Sequence, residues 1–311
     1  METCRPDATT VAPLEILDPA IGRKHRPVSV GEIERPALSQ PASPVTVVIA
    51  VWDDYVAFLT EAVESVRRSS PGEVPIVVID NASTPPVPEL SGTRVVRAPT
   101  RLSVGAARSL GIAQVETEYV IVLDADDLIL EGTLDFLAGR MEGDDQLAAC
   151  ATALLEEDTN SRHRTPRWFV PRLTGFRRVF ALANCVWSLY PIQGCTIMRT
   201  AQVKAAGAYP DAGWGDDWVL AVSLAFRGRV EAHRRFGLLY RHTQDSLWRT
   251  PKSSAELANS ARLVRQRLRS DPDVPAYARV LLPLIFVLQL AAVYLLRPVY
   301  RATRSRLRFG A

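Results

Sequence analysis

The chain has 311 residues, is 47% hydrophobic and 23% charged, and carries a formal net charge of +3. That profile is globular, enough for one large domain or two small ones, and the charge excess is too small to imply nucleic acid by itself. Four cysteines, Cys4, Cys150, Cys185 and Cys195, stand without CxxC spacing, which reads as free thiols in a reducing compartment and excludes a zinc site or disulfide frame.

Residues 1–43 are rich in Pro, Thr and charge without sustained periodicity, and read as a mostly disordered arm. They lack an apolar core flanked by positive charge, so no secretory signal is expected. Order is expected from Val45, where VTVVIAV forms a buried strand ending at Asp53 and Asp54. Val56, Leu59, Val63 and Val66 then follow helical spacing, broken by Pro71-Gly72. PIVVID (75–80) is a second buried strand and TRVVRA (93–98) a shorter third. Residues 103–116 read as a helix with Ser103 as candidate N-cap. YVIVLDADDLIL (119–130) is a fourth strand ending in three carboxylates, followed by a helix from about Thr133 to Met141.

The second half is less regular. LAACATALLEE (147–157) fits either strand or helix, and 161–180 reads as an irregular, arginine-rich segment. QGCTIMRT (193–200) reads as a strand and AQVKAAG (201–207) as a short helix closed by Gly207. GWGDDW (213–218) opens a helix through Phe226, a strand lies near Gly237–Tyr240, and a basic helix runs from Ser253 to Arg269. Val280–Leu296 is almost wholly apolar but, at 17 residues, sits at the lower edge of what spans a bilayer. Arginines flank both of its sides, which suits a helix lying against an anionic leaflet better than one crossing it.

Strands alternating with helices argue for a parallel sheet with helices on both faces. Strands one, two and four end in Asp53, Asp80 and Asp124, and the carboxyl edge of such a sheet is where ligands bind. Asp124 and Asp126 are two apart, so an extended backbone points them the same way. Two like charges held together call for a compensating cation, and Mg²⁺ is typically held by one or two carboxylates plus substrate phosphates. The competing reading of Asp126 or Asp127 is a cap on the next helix. Asp80 fits an Asx-turn equally well. Arg101 and Arg108 are candidates for phosphate or base contact, Arg108 equally for a surface ion pair. Gly105 is placed either for backbone approach to a ligand or for tight packing.

In order, VTVVIAVWDD, PIVVIDNAST, RLSVGAARSLGIA and YVIVLDADD resemble the nucleotide-binding half of family 2 inverting glycosyltransferases, which have the GT-A fold. AGAYPDAGWGDDWVLAVSLAFRG (206–228) and LLYRHTQDSL (238–247) are similar to that family's later elements. The resemblance spans Val45 to Leu247. It departs at Ala50, at Ser109 and at Asp216-Asp217, where the family often has Pro, Asn and Glu-Asp.

The resemblance implies a GT-A domain over 44–250, with a nucleotide-binding half (44–130) and an acceptor half (131–250), followed by C-terminal helices (251–311). It implies a nucleotide-diphosphate sugar donor, a glycan, lipid-linked or small-molecule acceptor, and a divalent cofactor, Mg²⁺ or Mn²⁺. Asp126 and His242 are then the expected metal ligands, and Asp124 meets the ribose or a metal-bound water. Asp80 meets the base, Asp53 lies near the same pocket, and Arg101, Arg108 and Asp216 complete the donor contacts. Asp217 is the expected general base, in a helix's first turn where the macrodipole stabilises its ionised form; the competing reading of Asp216 and Asp217 is capping. Trp214 or Trp218 is expected to line the acceptor cleft. The expected location is cytoplasmic, at the inner face of the plasma membrane, with peripheral contact through 280–308. Two alternatives stand beside this: a phosphohydrolase with Asp124 as nucleophile, and an inactive nucleotide-sugar-binding scaffold.

Overall fold

Runs of β-branched residues place the first strands inside the molecule. In a computed structural model of the chain, β1 (Val45–Val51) and β2 (Ile76–Asp80) are buried along their whole length, and β4 (Tyr119–Asp124) is buried up to its terminal acid. The structure describes residues 43–70, 72–157, 162–164, 170–190, 192, 194–241, 253–292 and 294. The N-terminal arm expected over 1–43 lies outside them except for its last residue.

The elements follow in chain order. After β1 come α1 (Val56–Arg68), β2, β3 (Thr93–Arg97), α2 (Val104–Ala113), β4, β5 (Leu128–Ile129) and α3 (Thr133–Glu142). Then come β6 (Leu147–Glu157), β7 (Arg162–Arg164), α4 (Val170–Leu173), α5 (Arg177–Val186), β8 (Thr196–Arg199) and α6 (Thr200–Ala205). The last are α7 (Asp216–Arg227), β9 (Arg229–Arg241), α8 (Ser254–Ser270), α9 (Ala276–Val280) and α10 (Leu282–Ala291).

The described strands form one sheet in the order β3-β2-β1-β4-β8-β6-β9-β5, with β7 paired to β6. Its first four strands are parallel. β8 then runs antiparallel to both β4 and β6, and β5 antiparallel to β9. Side chains alternate across β1: Val45, Val47, Ile49 and Val51 join one core with α1 and α3, while Val48 and Ala50 join another with α2, α7 and α8. This α/β arrangement, with helices on both faces, is the GT-A fold expected from the sequence.

Register fixes where the acids fall. Val51 pairs with Asp80 on one side of β1, and Ala50 with Asp124 on the other. With one strand between them, Asp80 and Asp124 stand roughly 10 Å apart along the same edge.

The second half resolves the ambiguous stretches. Residues 147–157 are a strand, β6, held by β8 and β9. β9 begins at Arg229, well before the strand expected near Gly237. The stretch read as irregular contains β7, α4 and the start of α5, with 165–169 outside the described residues. Ser253 caps α8 through a full capping box with Glu256. Among the described residues no helix is long and apolar enough to cross a membrane.

Candidate functional site

Each acid arrives by a local rule. β4 stops at Asp124 because the chain turns there, with the Asp127 N–H donating to the Asp124 carbonyl at 3.1 Å. The next helix, α3, starts at Thr133, nine residues after Asp124 and behind its N-cap Gly132, so neither Asp126 nor Asp127 caps it. Asp126 and Asp127 are both buried. Asp127 turns inward, where its Oδ1 accepts the Arg241 N–H at 3.1 Å and its Oδ2 has no hydrogen-bond partner among the described residues. Burial, with Asp126 and Asp124 beside it, pushes the Asp127 carboxyl well above the usual carboxylate range.

α7 enters the same region from the other half of the chain. Its N-cap is Gly215, at φ 78°, and Asp216 and Asp217 form its first turn. An added Cβ on Gly215 would lie 2.4 Å from Ser260 Oγ, so both the left-handed backbone and the packing of α8 require glycine there. Asp216 is buried. Asp217 is half-buried and accepts the Trp218 N–H at 2.7 Å, so it serves its own helix turn while reaching solvent.

Arg108 joins the two groups. It lies on α2, only 8% exposed, and donates through one guanidinium nitrogen to Asp124 Oδ1 at 2.5 Å and through the other to Asp216 Oδ2 at 2.8 Å. Its guanidinium also sits over the Tyr209 ring, 5.6 Å from the centroid. Burial alone would make Arg108 easier to deprotonate, but Asp124 and Asp216 more than offset this and hold it cationic. The surface ion pair considered for Arg108 is thus replaced by a buried bridge. Gly105, one turn earlier, donates its N–H to the Ala212 carbonyl at 3.0 Å. A Cβ there would meet the Pro210 carbonyl at 2.0 Å. Gly105 therefore serves packing, seating α2 against the loop that leads to Asp216.

The mouth of this edge is built from Asp53, Arg101 and Trp52. Asp53, left-handed at φ 42°, accepts from Arg101 at 2.8 Å and from the Thr84 N–H at 3.3 Å. The Arg101 guanidinium lies 5.1 Å from the Trp52 ring centre. Asp80 is buried behind them and locks its turn, accepting the N–H groups of Ser83 (2.8 Å) and Val87 (3.2 Å) and the Arg97 guanidinium. Burial favours its neutral form, but these donors outweigh it and hold the Asp80 carboxyl below the usual range.

His242 lies outside the described residues, as does the rest of 242–252. Its neighbour Arg241 is tied to the acidic turn. Besides the Asp127 bond, its side chain donates to the Asp126 carbonyl and, at 2.5 Å, to Glu61 of α1. Sequence reasoning gave Arg241 no role, and only its position at the end of a long strand could have signalled one. Trp218 is a core residue, its indole N–H donating to the Asn184 carbonyl at 2.5 Å, whereas Trp214 stays half-buried.

Asp124 and Asp126 lie near enough to Asp127 to raise its carboxyl, an excess of negative charge that a divalent cation would relieve. Among the described residues, however, these three do not bring ligand atoms together as tightly as Cys150, Glu231 and His233 do. That second grouping does not fit a divalent cation. Glu231 there is already neutralised by Arg140 and Arg229, and burial pushes the Cys150 thiol up to about 12. A 270 Å³ hollow lined by Glu89, Leu90, Ser91, Thr93 and Val95 lies at the opposite end of β3 from these acids.

The fold is shared with solved structures of TarS from S. aureus. The TarS fragment 1–349 of S. aureus in complex with UDP-GlcNAc matches with a TM-score of 0.61 at 15% identity, covering 80% of this chain and 72% of that one. The same fragment in complex with UDP gives 0.58 at 17% identity, covering 80% and 71%. A further TarS structure gives 0.56 at 15% identity, covering 80% of this chain and 43% of its own. No curated protein sequence matches the chain. A sequence model described as glycosyl transferase family 2 matches residues 46–203, from β1 into α6 and just over half the chain, stopping before Asp216 and Asp217. The strand ends that carry Asp80, Asp124 and Asp126 all fall inside that match, and this chain belongs to glycosyl transferase family 2.

Proposed function

We propose that this glycosyltransferase moves a sugar from a nucleotide-diphosphate donor to an acceptor hydroxyl with inversion, using a divalent metal and Asp217 as general base. The observation that carries the reading is the Arg108 bridge, which brings the acidic end of β4 and the first turn of α7 to one point. The GT-A fold, shared with a protein crystallised with UDP-GlcNAc, supports this class of donor.

Each residue then has a task. The base lies at the mouth, against Trp52, with Asp53 and Arg101 beside it. Asp80, its carboxylate taken up by Ser83, Val87 and Arg97, shapes the turn that borders the base. Asp124 faces the ribose and takes its orientation from Arg108. Asp126 and His242 would hold Mg²⁺ or Mn²⁺, which when bound neutralises charge on the leaving diphosphate. Asp216 is neutralised by Arg108, which leaves Asp217 as the acid of the pair that reaches solvent. Asp217 takes the proton from the acceptor hydroxyl, whose oxygen forms the new bond at the anomeric carbon. The old carbon–oxygen bond breaks, and its electron pair leaves with the diphosphate. Such base catalysis contributes typically ~10²–10⁴ in rate.

The acceptor is a saccharide, a lipid-linked or a small-molecule hydroxyl. The protein acts at the cytoplasmic face of the plasma membrane, touching it peripherally through 280–308. Family membership sets aside the phosphohydrolase, whose nucleophile, Asp124, is in any case paired with Arg108.

Asp217→Asn is expected to abolish transfer, read as nucleotide release in the presence of acceptor, while donor binding stays near wild type. Unchanged turnover in that variant removes Asp217 from the mechanism.

A further inference from the structure

The large apolar side chains that remain exposed among the described residues fall in only two segments, 176–187 and 277–294. These segments touch, since α10 packs against both α5 and α8. The contact is specific: Gln289 donates to the Cys185 carbonyl of α5 at 2.8 Å and accepts from Arg265 of α8. That seats the Leu282, Ile285 and Gln289 stripe of α10 inward. Its remaining face, including Leu284 (53% exposed) and Val287 (59%), meets solvent, and α10 contains no charged residue at all. Along α5, Val179 (58% exposed) lies on the helix, and Phe176 (68%) and Trp187 flank its two ends. Apolar patches of this extent mark interaction surfaces.

Charge identifies what covers them. Residues 159–210 contain no Asp or Glu, and neither do 276–311. Arginines 172, 177 and 178 lie in or beside α4 and α5, Arg265 and Arg269 on α8, and Arg279 on α9. A two-fold contact with a second copy would set this arginine-rich face, whose nearby exposed acid Asp273 is already paired with Arg227, against itself with little to neutralise it. An anionic lipid surface supplies both an apolar layer and negative charge.

We propose that the outward faces of α5 and α9–α10 form one surface that docks on an anionic leaflet. This rests on the peripheral contact proposed for 280–308 and deepens it by adding α5, which no membrane reading of the sequence included. The consequence is positional. α5 and α8 pack on α7, whose first turn holds Asp217, so one helix layer of about 8–10 Å separates the docking surface from α7.

The test is flotation of the full chain with phosphatidylcholine vesicles, with and without phosphatidylglycerol. Wild type is expected to float only with the anionic vesicles, less so at high salt. Phe176→Ser with Val179→Ser, and separately Leu284→Ser with Val287→Ser, should each lower the partition coefficient about tenfold. These side chains are exposed, so both variants should keep the wild-type melting temperature; single Phe176→Ser replaces the first pair should that pair fail to fold. Wild-type partitioning of the α5 variant, with loss in the α10 variant, would overturn the shared surface while leaving the contact through 280–308 intact. No flotation of wild type would overturn both. A concentration-dependent dimer abolished by the α5 variant would assign the surface to a second copy instead.

Discussion

At the scale of single residues, Arg108 and Asp216 hold the two halves of the site together. Asp216 is 3% exposed, and among the described residues its charge partner is Arg108. Removing one member of a buried pair strands the other, which typically costs about 3–5 kcal/mol. Arg108→Leu should therefore destabilise the fold by that amount in urea unfolding, and adding Asp216→Asn should recover part of the loss. Full additivity of the two substitutions would mean that the bridge does not form. The acids themselves were legible in the sequence, because buried strands that stop at carboxylates and a glycine followed by two acids are local patterns. The bridge was not legible, since its partners lie 108 residues apart and meet only through the sheet. Asp80 shows the converse: its turn-locking role was readable from the Asn-Ala-Ser that follows it, and the Ser83 and Val87 bonds bear it out.

At the scale of elements, α7 depends on how it starts. Gly215 supplies a left-handed residue against Ser260, and the acids follow at once. Gly215→Ala should cost about 1–3 kcal/mol in unfolding free energy for the strained backbone, with added loss from the contact with α8. Wild-type stability in that variant would show that the turn relaxes freely. Helices with clear periodicity, such as α1, or with a cap signal, such as Ser103 before α2, could be read from the sequence because those signals are local. β6 could not, because an alanine-rich apolar run suits either period. Nor could the first half of β9, where residues 233–235, His-Arg-Arg, fall in a register shift of its pairing with β6 and break the alternation.

At the scale of the whole molecule, one sheet gathers the acids on its carboxyl edge, and the helices of the second half supply both the α7 acid pair and the apolar surface that faces outward. The sheet class was foreseeable from alternating strands and helices, but the α5–α10 surface was not, because α5 reads as an irregular arginine-rich stretch until Gln289 and Arg265 seat α10 beside it. The central claim is that the acidic edge binds a nucleoside diphosphate together with a divalent ion. It is tested most directly by the melting temperature of the protein with UDP, GDP or dTDP, each with and without Mn²⁺, in wild type and in Asp126→Ala. A ligand bound only by the folded state adds about 2.7 kcal/mol at about 100 times its Kd. At least one nucleotide should therefore raise the wild-type melting temperature by several degrees with Mn²⁺ present, and Asp126→Ala should abolish the shift. No shift with any nucleotide, or an undiminished shift in Asp126→Ala, would contradict the account.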